Sequence, residues 1–168
     1  MHLETLQKLT IEKTNYFLSL AAKLYNVAIP QCEILFNLRG ASAGVAHYYY
    51  NSDGHKIRYN KVLLLQEGNN FIENVIPHEV AHIVAQHVFA SHGPNIAHGP
   101  SWKRVMRDFG ANPERCHTFD TSACEIKRKT YEFKCECKTH KVSSVIAKNI
   151  AHGRHYTCNT CKTRLKSF

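Results

Sequence analysis

The pentapeptide His78-Glu79-Val80-Ala81-His82 constrains this chain more than any other stretch. Residues four apart on a helix share a face and lie about 5–6 Å apart at Cβ, so both imidazoles can reach one ion. Zinc takes neutral imidazole nitrogen readily and, in catalytic sites, keeps a position open for water. Glu79 sits one step around the helix from His78, where its carboxylate meets that water rather than the metal. Water held there ionises near pH ~7, so a modest base is enough to draw its proton. A helix with two unrelated surface histidines is the competing reading, because three fixed positions recur by chance.

The flanks favour the metal. Phe71, Ile72, Val75, Ile76, Val80, Ile83 and Val84 recur at helical spacing, with Asn69 or Asn70 as N-cap. Pro77 requires a kink, or a new helical start capped by Asn74. The spacing is the H-E-x-x-H pattern of zinc peptidases. A third ligand must come from His87, His92 or His98. Ala85 and Val88 rule out H-E-x-x-H-x-x-G-x-x-H, and His87 lies about 140° around the helix from His82. His98-Gly99-Pro100 leads into a helical stretch from Trp102 to Phe109 with Ser101 as its cap, and Trp102 can fix the loop against the core. His98 is therefore preferred, with His92 as its rival.

The remaining elements follow from periodicity. Residues 3–26 form one or two amphipathic helices, and Cys32 to Leu38 a strand. Val45–Tyr50 and Lys56–Asn60 form a hairpin around Asn51-Ser52-Asp53-Gly54, with Tyr48, Tyr49 and Tyr50 on a strand that has one half-buried face. Val62–Leu65 ends the hairpin or makes a helical turn. His47 and His55 read as surface residues; Cys32, Cys116 and Cys124 read as structural.

Composition changes near the end. Cys135-x-Cys137 is answered by Cys158-x-x-Cys161, two hairpin ends about twenty residues apart, as in a zinc ribbon. Cys137-x-x-His140 also has knuckle spacing, so His140 competes with Cys135 for the fourth position. Seven cysteines, an odd number gathered toward the end, favour metal binding in a reducing compartment over a disulfide framework. Residues 1–126 hold 11 Lys+Arg and 11 Asp+Glu, whereas residues 127–168 hold 11 and 2, so the whole net charge of +9 sits on the last quarter. Tyr131, Phe133 and Tyr156 lie among these basic residues and are positioned to stack on nucleic-acid bases. No apolar run approaches the ~20 residues of a membrane span, and no secretory signal is expected, so the expected address is cytoplasmic.

His78-Glu79-Val80-Ala81-His82, His98-Gly99-x-x-Trp102, Gly44-x-Ala46, Tyr59-Asn60 and the paired cysteines together resemble the SprT family of zinc metalloproteases, in the wider group that includes the DNA–protein crosslink protease Spartan. The stretch between His82 and His98 is a few residues longer than that pattern. The resemblance implies an α+β fold: a zincin-like minimal metalloprotease domain over 1–126, with helices packed on a small antiparallel sheet, then a small β zinc ribbon over 127–168. It implies His78, His82 and His98 as ligands of a catalytic zinc, Glu79 as general base, and a second, structural zinc on Cys135, Cys137, Cys158 and Cys161. The expected activity is zinc-dependent endoproteolysis of protein substrates, including proteins on DNA that the basic ribbon would bind. The alternative is a non-catalytic, zinc-stabilised nucleic-acid-binding module.

Overall fold

The computed structural model describes residues 2–49, 54–89, 96–114, 117–124 and 129–167. They fall into two compact units, Met1–Glu125 and Ile126–Phe168. In the first, α1 (Leu3–Tyr25) precedes strands β1 (Gln31–Leu35), β2 (Gly44–His47) and β3 (Gly54–Tyr59). Helices α2 (Lys61–Glu67), α3 (Asn69–Phe89) and α4 (Pro100–Asp108) follow, then a 3₁₀ turn at Ser122–Cys124.

The polar interruptions of α1 do not divide it. Thr10 and Thr14 are fully buried, and each hydroxyl donates to the carbonyl four residues earlier, at 2.8 and 2.7 Å. The Tyr59 hydroxyl, also buried, meets Thr14 Oγ1 at 3.0 Å. Every polar atom in this contact has a partner, so one continuous helix packs against the sheet.

The sheet is mixed rather than antiparallel. β3 lies in the middle, antiparallel to β2 (Gly44 opposite Tyr59) and parallel to β1 (Ile34 opposite Ile57). With His55, Ile57 and Tyr59 buried on one face and a neighbour on each edge, β3 is the strand whose backbone groups are paired on both sides. The connection after β1 skips a place, and β3 fills it. The hairpin's strands pair; its turn, at 51–53, lies outside the described residues.

Helix α3 runs unbroken through Pro77, which is itself buried. The N–H that proline lacks would have bonded the carbonyl of Glu73, an exposed residue where water can take its place. Neither Asn69 nor Asn70 precedes the helix. Gly68, at φ 54°, closes α2 and accepts the Ile72 N–H that begins α3. At α4 the cap is Gly99 with Pro100 at the first helical position, not Ser101. Trp102, Tyr59, Phe71, Leu6 and Ile57 are the largest side chains of a core shared by these elements.

The second unit is small: β4 (Thr130–Lys134), β5 (Thr139–Ser143), α5 (Ser144–Ala151) and β6 (Lys166–Ser167), in sheet order β5-β4-β6. Its buried core is Phe133, Val142, Cys158 and Leu165. No helix among the described residues is long and apolar enough to cross a membrane.

Candidate metal centres and their cleft

Helix α3 carries His78 and His82 on the side that faces a cleft of ≈ 1060 Å³. His98 arrives from the turn before α4. Gly99 N–H bonds Ile96 O at 2.8 Å, and His98 sits in the left-handed region at φ 59°, which swings its ring over the pair. A side chain at Gly99 would put Cβ 2.8 Å from Ile96 O, so only glycine closes this turn. The His98 Nε2 then lies 3.0 Å from His78 Nε2 and 3.2 Å from His82 Nε2.

Those distances suit one ion. Zinc–nitrogen bonds of about 2.0–2.1 Å in a tetrahedron separate the ligand atoms by about 3.3–3.4 Å. Trp102, 1% exposed, closes the site from below: its indole N–H donates to His78 O at 3.2 Å, and its ring lies against all three imidazoles. The His78 ring also donates to the Glu114 backbone carbonyl, the kind of bond that holds a ligating tautomer. Of the other histidines considered, His92 lies outside the described residues, and His87 turns away toward the Tyr48 hydroxyl at 3.4 Å.

Burial, then neighbouring imidazoles, push His78 down to about 4 and His82 down to about 3. Both are neutral near pH 7, and a metal displaces no proton from them. Glu79 behaves oppositely. Its carboxyl, 6% exposed, is pushed up to about 8 by burial, against the Ala46 backbone N–H that donates to it.

Gly44 makes room for that carboxyl. A Cβ there would fall 2.5 Å from Glu79 Cγ and 2.6 Å from Oε1. Gly44 and Ala46 of β2 thus cradle Glu79. The sequence marks Gly44-x-Ala46 as part of the resemblance but not its contact with Glu79, because strand and helix are more than thirty residues apart. Asn60 fixes the loop before β2: its side chain donates to Gly40 O and Ser42 O, and its own N–H donates to Ala43 O.

The titrations set a pH dependence for the metal-free protein. Between about 4 and 6.5 the unfolded chain binds more protons at His78 and His82 than the folded chain does, so stability rises with pH. Between 4.5 and about 8 the folded chain binds more at Glu79, so stability falls as pH rises. Two rising contributions outweigh one falling contribution until 6.5, after which only the fall remains. Urea unfolding followed by the single Trp should therefore show lower stability at pH 8 than at 6.5. Glu79→Gln should remove that decline; an equal decline in both proteins would contradict the assignment.

In the second unit Cys135, Cys137, Cys158 and Cys161 offer sulfurs that all lie within 4.8 Å of one another. Cys135 and Cys137 are 3.4 Å apart, and Cys137 and Cys158 3.7 Å, near the about 3.8 Å expected for zinc–sulfur bonds of about 2.3 Å. His140 Nε2 lies 3.2 Å from Cys135 Sγ, positioned beside the four sulfurs as a hydrogen-bond partner to one of them. Thr160 N–H donates to Cys158 Sγ at 3.4 Å, and backbone donors from Cys161 and Thr160 pull that thiol down to about 5. Thiolate, the form that binds metal, is favoured.

Other expectations are corrected here. Phe133 is core and not free to stack on a base, whereas Tyr156 is half-buried against that core and its hydroxyl accepts from Asn149 at 2.9 Å. Tyr131 remains exposed, with Lys129 Nζ 5.3 Å from its ring centroid. His55 is buried, 2% exposed, and stacks on Tyr48 at 4.2 Å. Cys32 and Cys124 pack in or against the core of the first unit and belong to neither cluster, and Cys116 lies outside the described residues.

The chain is similar to known proteins over most of its length. The SprT-like family model matches residues 14–130. Protein SprT of Pasteurella multocida is 37% identical over 155 residues, covering 91% of this chain and 88% of its own. Protein SprT of Pseudomonas paraeruginosa is 35% identical over 153 residues, 86% of each chain, and that of Serratia proteamaculans 33% over 153 residues, 90% and 85%. With its histidine triad, buried glutamate and cysteine cluster carried on a sequence alike over most of its length, the chain belongs to the SprT-like family.

Proposed function

We propose that this protein is a zinc-dependent endopeptidase whose basic second unit binds nucleic acid. The observation that carries the first part is the pairing of three imidazole nitrogens at tetrahedral spacing with a buried carboxyl in the same cleft. His78, His82 and His98 would hold the zinc, which would supply a Lewis acid to polarise a peptide carbonyl and acidify water. Glu79, aimed by Gly44 and Ala46, takes a proton from that water as its oxygen bonds to the carbonyl carbon. It returns the proton to the amine nitrogen as the C–N bond breaks. Such a base works best with a pKa near the working pH, and burial moves Glu79 in that direction.

The cleft suits an extended chain. Asn70, Asn74, His78, His82 and Gln86 line it at four-residue intervals along α3, a row about 24 Å long. That length holds about seven residues of extended peptide. β2 is an edge strand of its sheet and lines the same cleft, so a substrate strand can add to it through backbone bonds. No Lys or Arg side chain lines it among the described residues, which favours recognition of backbone over side-chain charge.

The second part rests on charge. Strand register places Lys134 opposite Lys166, and Lys141 opposite Glu132, on one exposed face of the second sheet. Like charges directly opposite one another are unfavourable, and phosphates would relieve them. Proteins held on DNA are the substrates this combination fits. In the test, zinc-loaded protein is given a DNA-binding protein as substrate, with and without DNA. Cleavage should be faster with DNA, and chelation should abolish it. Replacing Lys134, Lys141 and Lys166 by Ala should remove the DNA-dependent part and flatten the salt dependence of DNA binding by about 2–3 in log–log slope. Metal loading and DNA binding without cleavage of any protein would instead favour a non-catalytic binding module.

A further inference from the structure

A fourth histidine, His117, lines the same cleft, half-buried. Its Nδ1 accepts the Phe119 backbone N–H at 3.3 Å. In a neutral imidazole a nitrogen that accepts carries no proton, so the proton sits on Nε2. The ring is held in place: it stacks on Phe119 at 4.5 Å and 21°, and Phe119 stacks in turn on the buried Phe71. His117 shares this cleft with all three histidines of the triad. Yet it lies outside the convergent set formed by His78, His82 and His98. Among the described residues no protein acceptor takes its Nε2–H.

A fixed N–H donor beside a hydrolytic centre, with no acceptor among the described residues, is suited to an oxygen that gains negative charge. We infer that His117 is a further catalytic residue, whose Nε2–H donates to the carbonyl oxygen of the bound peptide and stabilises the charge that grows there. The inference rests on the peptidase reading. No proton changes hands in this step; the bond shortens as charge develops and lengthens when the carbonyl re-forms.

The test compares His117→Phe, which keeps a ring to stack on Phe119 but has no donor, with His117→Gln, which has an amide N–H. Both are made in the full chain, with zinc content and Trp102 fluorescence checking metal and fold. His117→Phe should lower kcat about 10²-fold with KM little changed, and His117→Gln should recover part of the loss. A second readout needs no turnover. A phosphinic alanine tetrapeptide carries a fixed negative oxygen where the carbonyl would be, and its affinity, measured by calorimetry, should fall at least about tenfold in His117→Phe. Nitrogen chemical shifts should place the His117 proton on Nε2. A kcat within about threefold of the parent, unchanged phosphinate affinity, a proton on Nδ1, or loss of zinc from His117→Phe would each overturn the inference. If the parent cleaves no peptide, the peptidase reading fails by itself, and the phosphinate comparison and the tautomer still decide whether His117 is a donor.

Discussion

Glu79→Gln should keep the metal and the fold and lose hydrolysis by about 10²–10⁴-fold, the range for removal of a positioned general base. Glutamine fills the same space under β2, so the close approach of Gly44 and the N–H of Ala46 are still used. The carboxylate's ability to hold a proton is what disappears. The metal-free variant should also be at least as stable as the parent at pH 8, because a buried carboxyl no longer has to ionise. The measurement is cleavage of a permissive unfolded protein, alongside zinc content and urea unfolding. A variant that cleaves at the parent's rate would remove Glu79 from the chemistry. One that loses its zinc would show the carboxyl acting on the metal instead.

Cys158→Ser should have the larger structural effect. Cys158 is 1% exposed and belongs at once to the sulfur cluster and to the buried core of its unit. Among the described residues its fully buried companions are Phe133, Val142 and Leu165, with Ile146 and Ile150 partly buried against them, little apolar burial to order a segment of this size. Structural zinc contributes about 10–16 kcal/mol of apparent binding free energy in small domains, and folding there is coupled to it. The variant should hold one zinc fewer per chain, and the backbone amide signals of residues 129–167 should collapse toward random-coil positions. Trp102, in the other unit, should report an unchanged unfolding transition. Retention of all the metal with dispersed amide signals would mean that the sulfur cluster is not what holds this unit together.

Local patterns were legible wherever chemistry depends on short spacing. His78 and His82 are one helical turn apart, and Cys158 and Cys161 lie on one tight loop, so either pair can be read without the fold. The helices of the first unit were legible for the same reason, since their apolar repeat is local. Caps were less so: Gly68 and Gly99 replaced the expected Asn and Ser, because closing one element and opening the next required backbone freedom more than a side-chain acceptor.

What the sequence determined by itself, then, is the pair His78 and His82 with the helix that carries them, the pair Cys158 and Cys161, and the placing of all net charge on the last quarter, while His98 and Cys135 still had rivals. Tertiary structure alone decided how they are used. It set β3 between β1 and β2, brought Gly44 and Ala46 against a glutamate more than thirty residues away, and placed His98 over the pair through a left-handed turn. It also buried His55 and Phe133, which the local pattern had left open to solvent. The physical reason is that burial, desolvation and close approach depend on which distant segments pack together. A pattern of neighbours along the chain carries ligand type and spacing, but the pKa of Glu79 and the tautomer of His117 belong to contacts made across the fold.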